Sequence, residues 1–236
     1  PSVTTTTTYY VKASMTYNST TYSDTKTLKV YGKKTIKVKN TNGWSSMLMH
    51  RWDGDKTSTT WPGDATQISA YGTGQWKQVV LYSSNDKFAL VDRTTNDNHT
   101  ADQTYSSMTD GSCYAISSGT GGSLSLSSAT CPSAPTVTAS AASSVTNTTA
   151  TINGSISGNG NDAITDYGFY WSTTQTTATA LQSSGTKVQK GTSDYTGSIT
   201  ANLTSLTAGT MVYYIAYATN GQGTTLSSVQ SFTVPY

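Results

Sequence analysis

"SSMLMHRWDGDKTSTTWPGD", residues 45–64, decides how the chain is read. Its opening alternates in a period of two, which puts Met47, Met49 and Arg51 on one face of a strand and Leu48, His50 and Trp52 on the other. One face must meet a core. The two methionines are good core fillers, and Arg51 falls at the strand end, where its charge is expected to reach solvent. His50 and Trp52 are then neighbours on the outer face, roughly 6–7 Å apart along the strand. The run "DGDKTSTTWPGD" that follows has the polar, turn-forming composition of a loop, and its one large residue is Trp61, with Pro62 and Gly63 stiffening the turn beneath it. The stretch therefore predicts a β-strand with rings on its outer face and a loop that brings a further ring to them.

The rest of the chain agrees with a β-protein. Of its 236 residues, 34% are hydrophobic and 11% charged, and the 16 tyrosines and 5 tryptophans replace aliphatics as core material. All 12 acidic residues are aspartate. Good helix formers are correspondingly scarce, while β-branched and aromatic residues favour strands. The net charge of +2 forms no basic stripe, so nucleic acid is not an expected partner. No apolar run reaches the roughly 18 residues of a membrane-spanning helix. The opening "PSVTTTTTYY" reads as the tail of a Thr-rich linker, and residues 1–25 are expected to be a linker and lead-in. The chain is expected to be a monomeric fragment of a larger multidomain protein, secreted or attached to a cell surface.

The composition shifts near residue 132. Both histidines, both arginines and all tryptophans but Trp171 lie before it, and few charged residues follow. "SGTGGSLSLSSATCPSAPTV" has the Gly, Ser and Pro content of a boundary. The domains expected are residues 26–131 and 132–236. In the first, "KTLKVYG", "KTIKVKN", "SSMLMHRW", "QWKQVVLYS", "DKFALVDR" and "DGSCYAIS" read as strands. In the second, "TVTAS", "TATINGSIS", "TDYGFYWS", "YTGSITANL", "MVYYIAYATN" and "VQSFTVP" do. The fold class expected is all-β, two β-sandwich domains in tandem. Trp44, Trp76 and Trp171 are expected to be packed. Cys113 and Cys131 would tie the end of the first domain to the start of the second, a bridge worth roughly 3 kcal/mol in the chain-entropy model. An extracellular setting permits it. Two cysteines without a nearby histidine make no zinc set, so no metal and no cofactor are expected.

Little in the chain points to catalysis. Asp53, Asp55, Asp64, Asp92, Asp97 and Asp102 lie in loops or at strand ends, and none sits in an apolar stretch that would raise its pKa as glycoside hydrolysis requires. There is no G-x-S-x-G elbow. "DGDKTSTTWPGD" lacks the spacing and closing Glu of an EF-hand, and the short Gly runs precede no helix that would cradle a phosphate. The five Asn-x-Ser/Thr sequons arise easily in so Thr-rich a chain. The rings are more informative. A pyranose presents C–H groups to an aromatic face and keeps its hydroxyls at the rim, so stacking buries the apolar patch without desolvating them. A neutral histidine beside the stack can hydrogen-bond a hydroxyl. Inclined ring planes suit a curved glycan, coplanar ones a flat glycan.

Two resemblances sharpen these expectations. "LTSLTAGTMVYYIAYATNGQGTTLSSVQSFTV", residues 203–234, resembles the last third of a fibronectin type III-like repeat of bacterial surface proteins. Leu206, Gly209, Thr210, Tyr213, Tyr217, Ala218 and Asn220 carry the match, while Ala208 stands for a usual proline and Val212 for a common tyrosine. Over roughly residues 26–118 the first domain resembles the starch-binding carbohydrate-binding modules of family 26 and its neighbour family 25. The carriers are Trp44, His50 and Trp52 in W-x5-H-x-W, "WPGD" at 61–64, "GTGQWKQVVL", "NHTADQT" and "DGSCYAI". The resemblance implies that three rings, His50, Trp52 and Trp61, hold an α-glucan. Family 26 more often has tyrosines at the first two positions, and His with Trp is closer to family 25. Where the family tends to have Gln-Thr before Ala-Asp, this chain has His99-Thr100, so His99 and Asn98 become secondary candidates. The expected function is non-catalytic binding of starch and maltooligosaccharides on behalf of a larger starch-degrading protein. The rival expectation is a structural or adhesive surface module, because a sandwich fold alone does not fix function.

Overall fold

The computed structural model describes residues 5–236. The chain is almost entirely β and divides into two compact units. The first holds the described residues up to Ala70 together with Trp76–Thr130, and the second holds Cys131–Tyr236 with the short segment Tyr71–Gln75. Each is a β-sandwich, so two sandwich domains follow in tandem as the sequence predicts, with the break at Thr130/Cys131. Among the described residues no helix is long and apolar enough to cross a membrane.

The lead-in expected over residues 1–25 is not a linker from Thr7 onward, and its first four residues lie outside those described. Strands β1 (Thr7–Tyr17) and β2 (Thr20–Val30) form an antiparallel ribbon, Thr7 opposite Val30 and Tyr17 opposite Thr20. Its turn is the two-residue Asn18-Ser19, both at positive φ (46° and 60°), the geometry that matches the twist of a tight hairpin. Threonine-rich composition suits a linker, but threonine and tyrosine are also strong strand formers. The segment "KTLKVYG", expected in the first sandwich, instead completes this ribbon. At its base Lys29 Nζ donates to Asp55 Oδ2 at 2.7 Å.

The first sandwich begins at β3 (Lys33–Lys39). It continues with β4 (Met47–Trp52), β5 (Ile68–Ala70), β6 (Trp76–Tyr82), β7 (Lys87–Asp92), β8 (Gln103–Thr104), β9 (Cys113–Ile116) and β10 (Leu126–Ser128). One sheet has the order β10-β9-β3-β6-β5, with β3 and β9 parallel, and the other has the order β4-β7-β8. Between them lie Ile36 and Val38 of β3, Val79 and Leu81 of β6, Met47 and Met49 of β4, and Phe88 and Leu90 of β7. The methionines thus point inward as their alternation requires. Trp44 joins this core and Trp76 is fully buried, as expected for both. The short strands β5, β8 and β10 escaped the sequence because two or three residues show no period.

The second sandwich packs β11 (Thr136–Ser143), β12 (Ala150–Gly158) and β15 (Gly197–Leu203) against a sheet of β14 (Thr186–Gly191), β13 (Asp166–Ser172), β16 (Met211–Asn220), β17 (Gly223–Leu226) and β18 (Gln230–Thr233), in which both β17 and β18 pair with β16. Its core runs through Ile152, Ile156, Phe169, Ile199, Val212 and Tyr214. Burial pushes the Tyr214 phenol up to about 12, and its hydroxyl donates to the Ser140 carbonyl at 2.5 Å. That bond spans from β16 to β11 and is no tyrosine corner. Trp171 packs against the core but stays half-exposed, less buried than expected. A short helix α1 (Ala178–Ser184), capped by Thr177 and anchored by buried Leu181, was not legible because its single apolar anchor gives no helical period.

Neither cysteine is free. Cys113 and Cys131 are the chain's two cysteines and both are disulfide-bonded, so they bond to each other. The loop closed is short enough that the chain-entropy contribution is about 3 kcal/mol. Reduction is therefore expected to lower the thermal midpoint of the first sandwich by several degrees, read by circular dichroism with and without a thiol reductant. An unchanged midpoint after verified reduction contradicts this.

Candidate functional site

The site stands on the outer face of the sheet β4-β7-β8. In β4, Met49 faces the core, so His50 and Trp52 face out with the opposite phase from Arg51. The floor beneath them is closed to solvent: Ala89 lies opposite His50 and Val91 opposite Leu48, and all three apolar residues are buried. The outer face therefore carries its own small apolar patch, which the alternation placed Leu48 on without predicting its burial.

Four rings gather over this floor. His50 and Trp52 are stacked, with centroids 4.9 Å apart and planes 23° apart. Side by side they would be separated by the strand repeat; instead the rings lean together and His50 covers one face of the Trp52 indole. Trp61 meets His50 at 5.3 Å and 77°, and meets His99 at 5.1 Å and 82°. A stack at 23° beside an edge contact at 77° leaves the two indole planes more than half a right angle apart. Trp61 is 44% exposed, and Trp52, His50 and His99 are half-buried. The structure thus brings together all three rings expected from the sequence and adds His99, which reaches the cluster through its bridge with Val91. Asn98 has a different task. Its Oδ1 accepts from the Gly121 amide at 2.8 Å and fixes the turn beyond His99.

The loop that carries Trp61 is locked to the strand that carries the other rings. Asp64 and Met49 exchange both backbone hydrogen bonds, at 2.8 and 3.3 Å. Gly63, at φ +98°, permits this approach: a Cβ there would lie 2.3 Å from the Met49 carbonyl oxygen and 2.6 Å from the His50 nitrogen. The Trp61–Pro62 peptide bond is cis. Arg51, expected to reach solvent, does not. Its guanidinium donates to Asp64 Oδ2 at 2.5 Å and to Gln67 Oε1, and the side chain is 22% exposed. At the strand end the inner face of β4 opens onto this loop, so the charge finds a carboxylate there instead of water. Asp64 is held below the usual carboxylate range. Burial acts to raise it, but the Thr66 hydroxyl and amide and the Arg51 guanidinium outweigh that. Arg51, Asp64, Gln67 and Thr59 form this support, and the sequence marked it only through the glycine and aspartate of "WPGD".

The two histidines are each held at Nδ1 by a different partner. Thr59 Oγ1 accepts from the Arg51 amide at 2.9 Å and lies 3.0 Å from His50 Nδ1, nearer than the 3.5 Å to the Arg51 carbonyl. The Thr59 hydroxyl therefore joins the His50 ring to the Arg51 backbone, and Nε2 is the His50 nitrogen left for a ligand. His99 Nδ1 lies 2.9 Å from the Thr100 carbonyl, which can only accept, so in the neutral ring Nε2 is an acceptor. Burial lowers the His50 pKa; the nearby Asp102 charge works against this and Arg51 adds to it.

Four of the six aspartates weighed as catalytic hold structural bonds. Asp53 pairs with Lys87 at 2.9 Å, Asp55 with Lys29 at 2.7 Å, and Asp64 with Arg51. Asp55 is moved down by its hydrogen bond and charge pairing with Lys29. Asp92 is buried and its Oδ1 accepts from the Thr94 amide at 3.0 Å. Among the described residues no cluster of three or more His, Cys or Asp could hold a metal ion.

No protein-family model matches the chain, and no curated protein matches it. Solved structures overlap it weakly. The sensor domain of the anti-sigma factor RsgI4 of Pseudobacteroides cellulosolvens is 18% identical, with a TM-score of 0.33 over 44% of this chain and 96% of that one. A myokine structure is 18% identical, with a TM-score of 0.32 over 45% and 100%. A titin fragment is 13% identical, with a TM-score of 0.31 over 98% and 75%. Overlaps this weak say nothing of what the ring cluster binds.

The His50 shift gives a testable pH dependence. A histidine whose folded pKa lies below its ordinary 6.5 binds more protons unfolded than folded in between. Its contribution to stability is therefore complete above 6.5 and is lost as pH falls from there through the folded value. Urea unfolding of the native protein should show more loss of stability between about pH 7.5 and pH 5.5 than His50→Gln shows. Equal losses in the two proteins contradict the assignment.

Proposed function

We propose that the first sandwich is a non-catalytic starch-binding module, which holds α-1,4-glucan chains by stacking glucose units on Trp52 and Trp61. The observation that carries this reading is the inclination of the two indole planes over a closed floor. Successive glucoses of an α-1,4-linked chain turn relative to one another, so two rings that share one plane cannot both lie flat against them, and two inclined rings can. A flat β-1,4-glucan would ask for coplanar rings. One face of Trp52 is occupied by His50, so glucose uses the opposite face, and Trp61 offers its exposed part.

Polar groups at the cluster support the same reading. The Nε2 atoms of His50 and His99 are the ring nitrogens not taken by Thr59 and Thr100, and they hydrogen-bond the hydroxyl groups at the rim of a stacked glucose beside Trp61. The support built from Arg51, Asp64 and Gly63 holds Trp61 before the ligand arrives, which reduces the ordering cost of binding. A site of a few rings buries few atoms, so the affinity expected is modest, and repeated modules on a parent chain would raise it by avidity. The proposed parent is a secreted or cell-surface starch-degrading protein, and the second sandwich is its spacer or companion domain.

The test is binding to insoluble starch and to maltoheptaose by the native protein, Trp52→Ala and Trp61→Ala. Trp61 is half-exposed on a loop whose backbone is held by other residues, so Trp61→Ala should weaken binding at least about tenfold while the thermal midpoint moves by no more than about 2 °C. Trp52→Ala should weaken it comparably, with a somewhat larger shift because it uncovers His50. A native protein that leaves starch unbound, or a Trp61→Ala variant that binds as the native protein does, contradicts the reading.

A further inference from the structure

The ribbon β1–β2 is anomalous. Two antiparallel strands without a third strand or a packed face are marginal in water, yet here 11-residue strands are exposed along almost their whole length and pair only with each other among the described residues. The register shows why this matters. Directly paired residues share a face, so one face carries Tyr9, Val11, Met15 and Tyr17 from β1 with Leu28 and Tyr22 from β2. The other face is mostly threonine, serine and lysine. The six apolar side chains are 44–65% exposed. An amphipathic ribbon of this kind has a buried side in view, and nothing in the described residues covers it.

We propose that the apolar face of this ribbon docks on the same face of a second copy of the chain, related by a two-fold axis that crosses the ribbon at the level of the Lys12–Thr25 pair. The charge pattern of the face favours this pairing. The apolar face carries two charges, Asp24 and Lys26, which lie on either side of Thr25 and pair with each other at 2.9 Å. A two-fold axis at Thr25, lying between the faces and perpendicular to the strands, sets Asp24 of each copy against Lys26 of the other. The same operation sets Val11 against Ala13, Met15 against Tyr9, and Tyr22 against Leu28, so apolar residues meet apolar residues over the middle of the face, while at its ends Tyr17 falls against Thr7 and Val30 against Thr20. The alternative two-fold, parallel to the strands, sets both charges against Ala13 and Val11 and is rejected. This is the self-complementarity an isologous interface requires.

The size of the face bounds the strength. Eleven residues extend roughly 35 Å, and a ribbon of two strands presents roughly 350 Å² per copy, below the roughly 800 Å² per partner of a standard stable interface. The association is therefore weak in dilute solution and becomes significant where copies are concentrated, as on repeated modules or a crowded surface. This departs from the monomer expected from the sequence. It does not depend on the ring cluster or on starch.

The test is sedimentation of the 236-residue chain from about 10 μM to about 1 mM, in low salt. The native protein should show a concentration-dependent dimer. Asp24→Lys and Lys26→Asp each set like charges together across the axis and should weaken the dimer at least about tenfold. The double variant Asp24→Lys/Lys26→Asp restores opposite charges and should associate as the native chain does, and an equimolar mixture of the two single variants should associate with each other. These residues are exposed, and an unchanged melt confirms folding of every variant. A native chain monomeric throughout the range, single reversals that leave the dimer intact, or a mixture that stays monomeric each overturn the proposal.

Discussion

Everything at the ring cluster depends on one strand serving two faces. Between Met47 and Trp52 the backbone of β4 has no freedom of phase: once Met47 and Met49 fill the core, His50 and Trp52 must point away from it. The same strand then takes back its own loop. The paired hydrogen bonds between Met49 and Asp64, the Gly63 backbone pressed against them and the Arg51–Asp64 ion pair return residue 61 to a place beside residues 50 and 52. Each contact is modest alone. Together they convert a flexible, polar loop into a fixed support for a large ring. Arg51 is the pivot, because its backbone lies between the two outward rings while its guanidinium holds the loop that brings the third.

That construction explains which parts were legible in the sequence. Alternation alone assigned Met47, Met49, His50 and Trp52 to their faces, and the polar loop after the strand marked Trp61 as the ring that joins them. The error at Arg51 had a physical source. A charge at a strand end usually reaches water, and the sequence shows no sign that a loop will fold back with a carboxylate beside it. The stacking of His50 on Trp52 was also out of reach, since the strand repeat gives the separation of backbones and not the lean of rings. Thr59, whose hydroxyl joins the His50 ring to the Arg51 backbone, lies among many threonines with nothing to mark it.

The two ends of the chain illustrate the same limit differently. Over residues 7–25 a composition typical of linkers concealed a regular ribbon, because threonine serves both a flexible segment and a strand. In the second sandwich the longer strands, such as Met211–Asn220, were readable, while α1, β14 and β17 were not, for want of period. Apolar patterning found what packs within one domain. It does not say what the exposed apolar side of the ribbon meets, and only the register of β1 with β2 shows that this side is apolar at all.

The central claim is that inclined rings select a curved α-glucan. Affinity electrophoresis of the native protein through gels containing amylopectin, dextran, xylan or a soluble cellulose derivative tests it most directly. The account predicts retardation by amylopectin alone, relieved by added maltoheptaose. Retardation by the cellulose derivative or xylan with none by amylopectin would contradict it, as would free migration in all four gels.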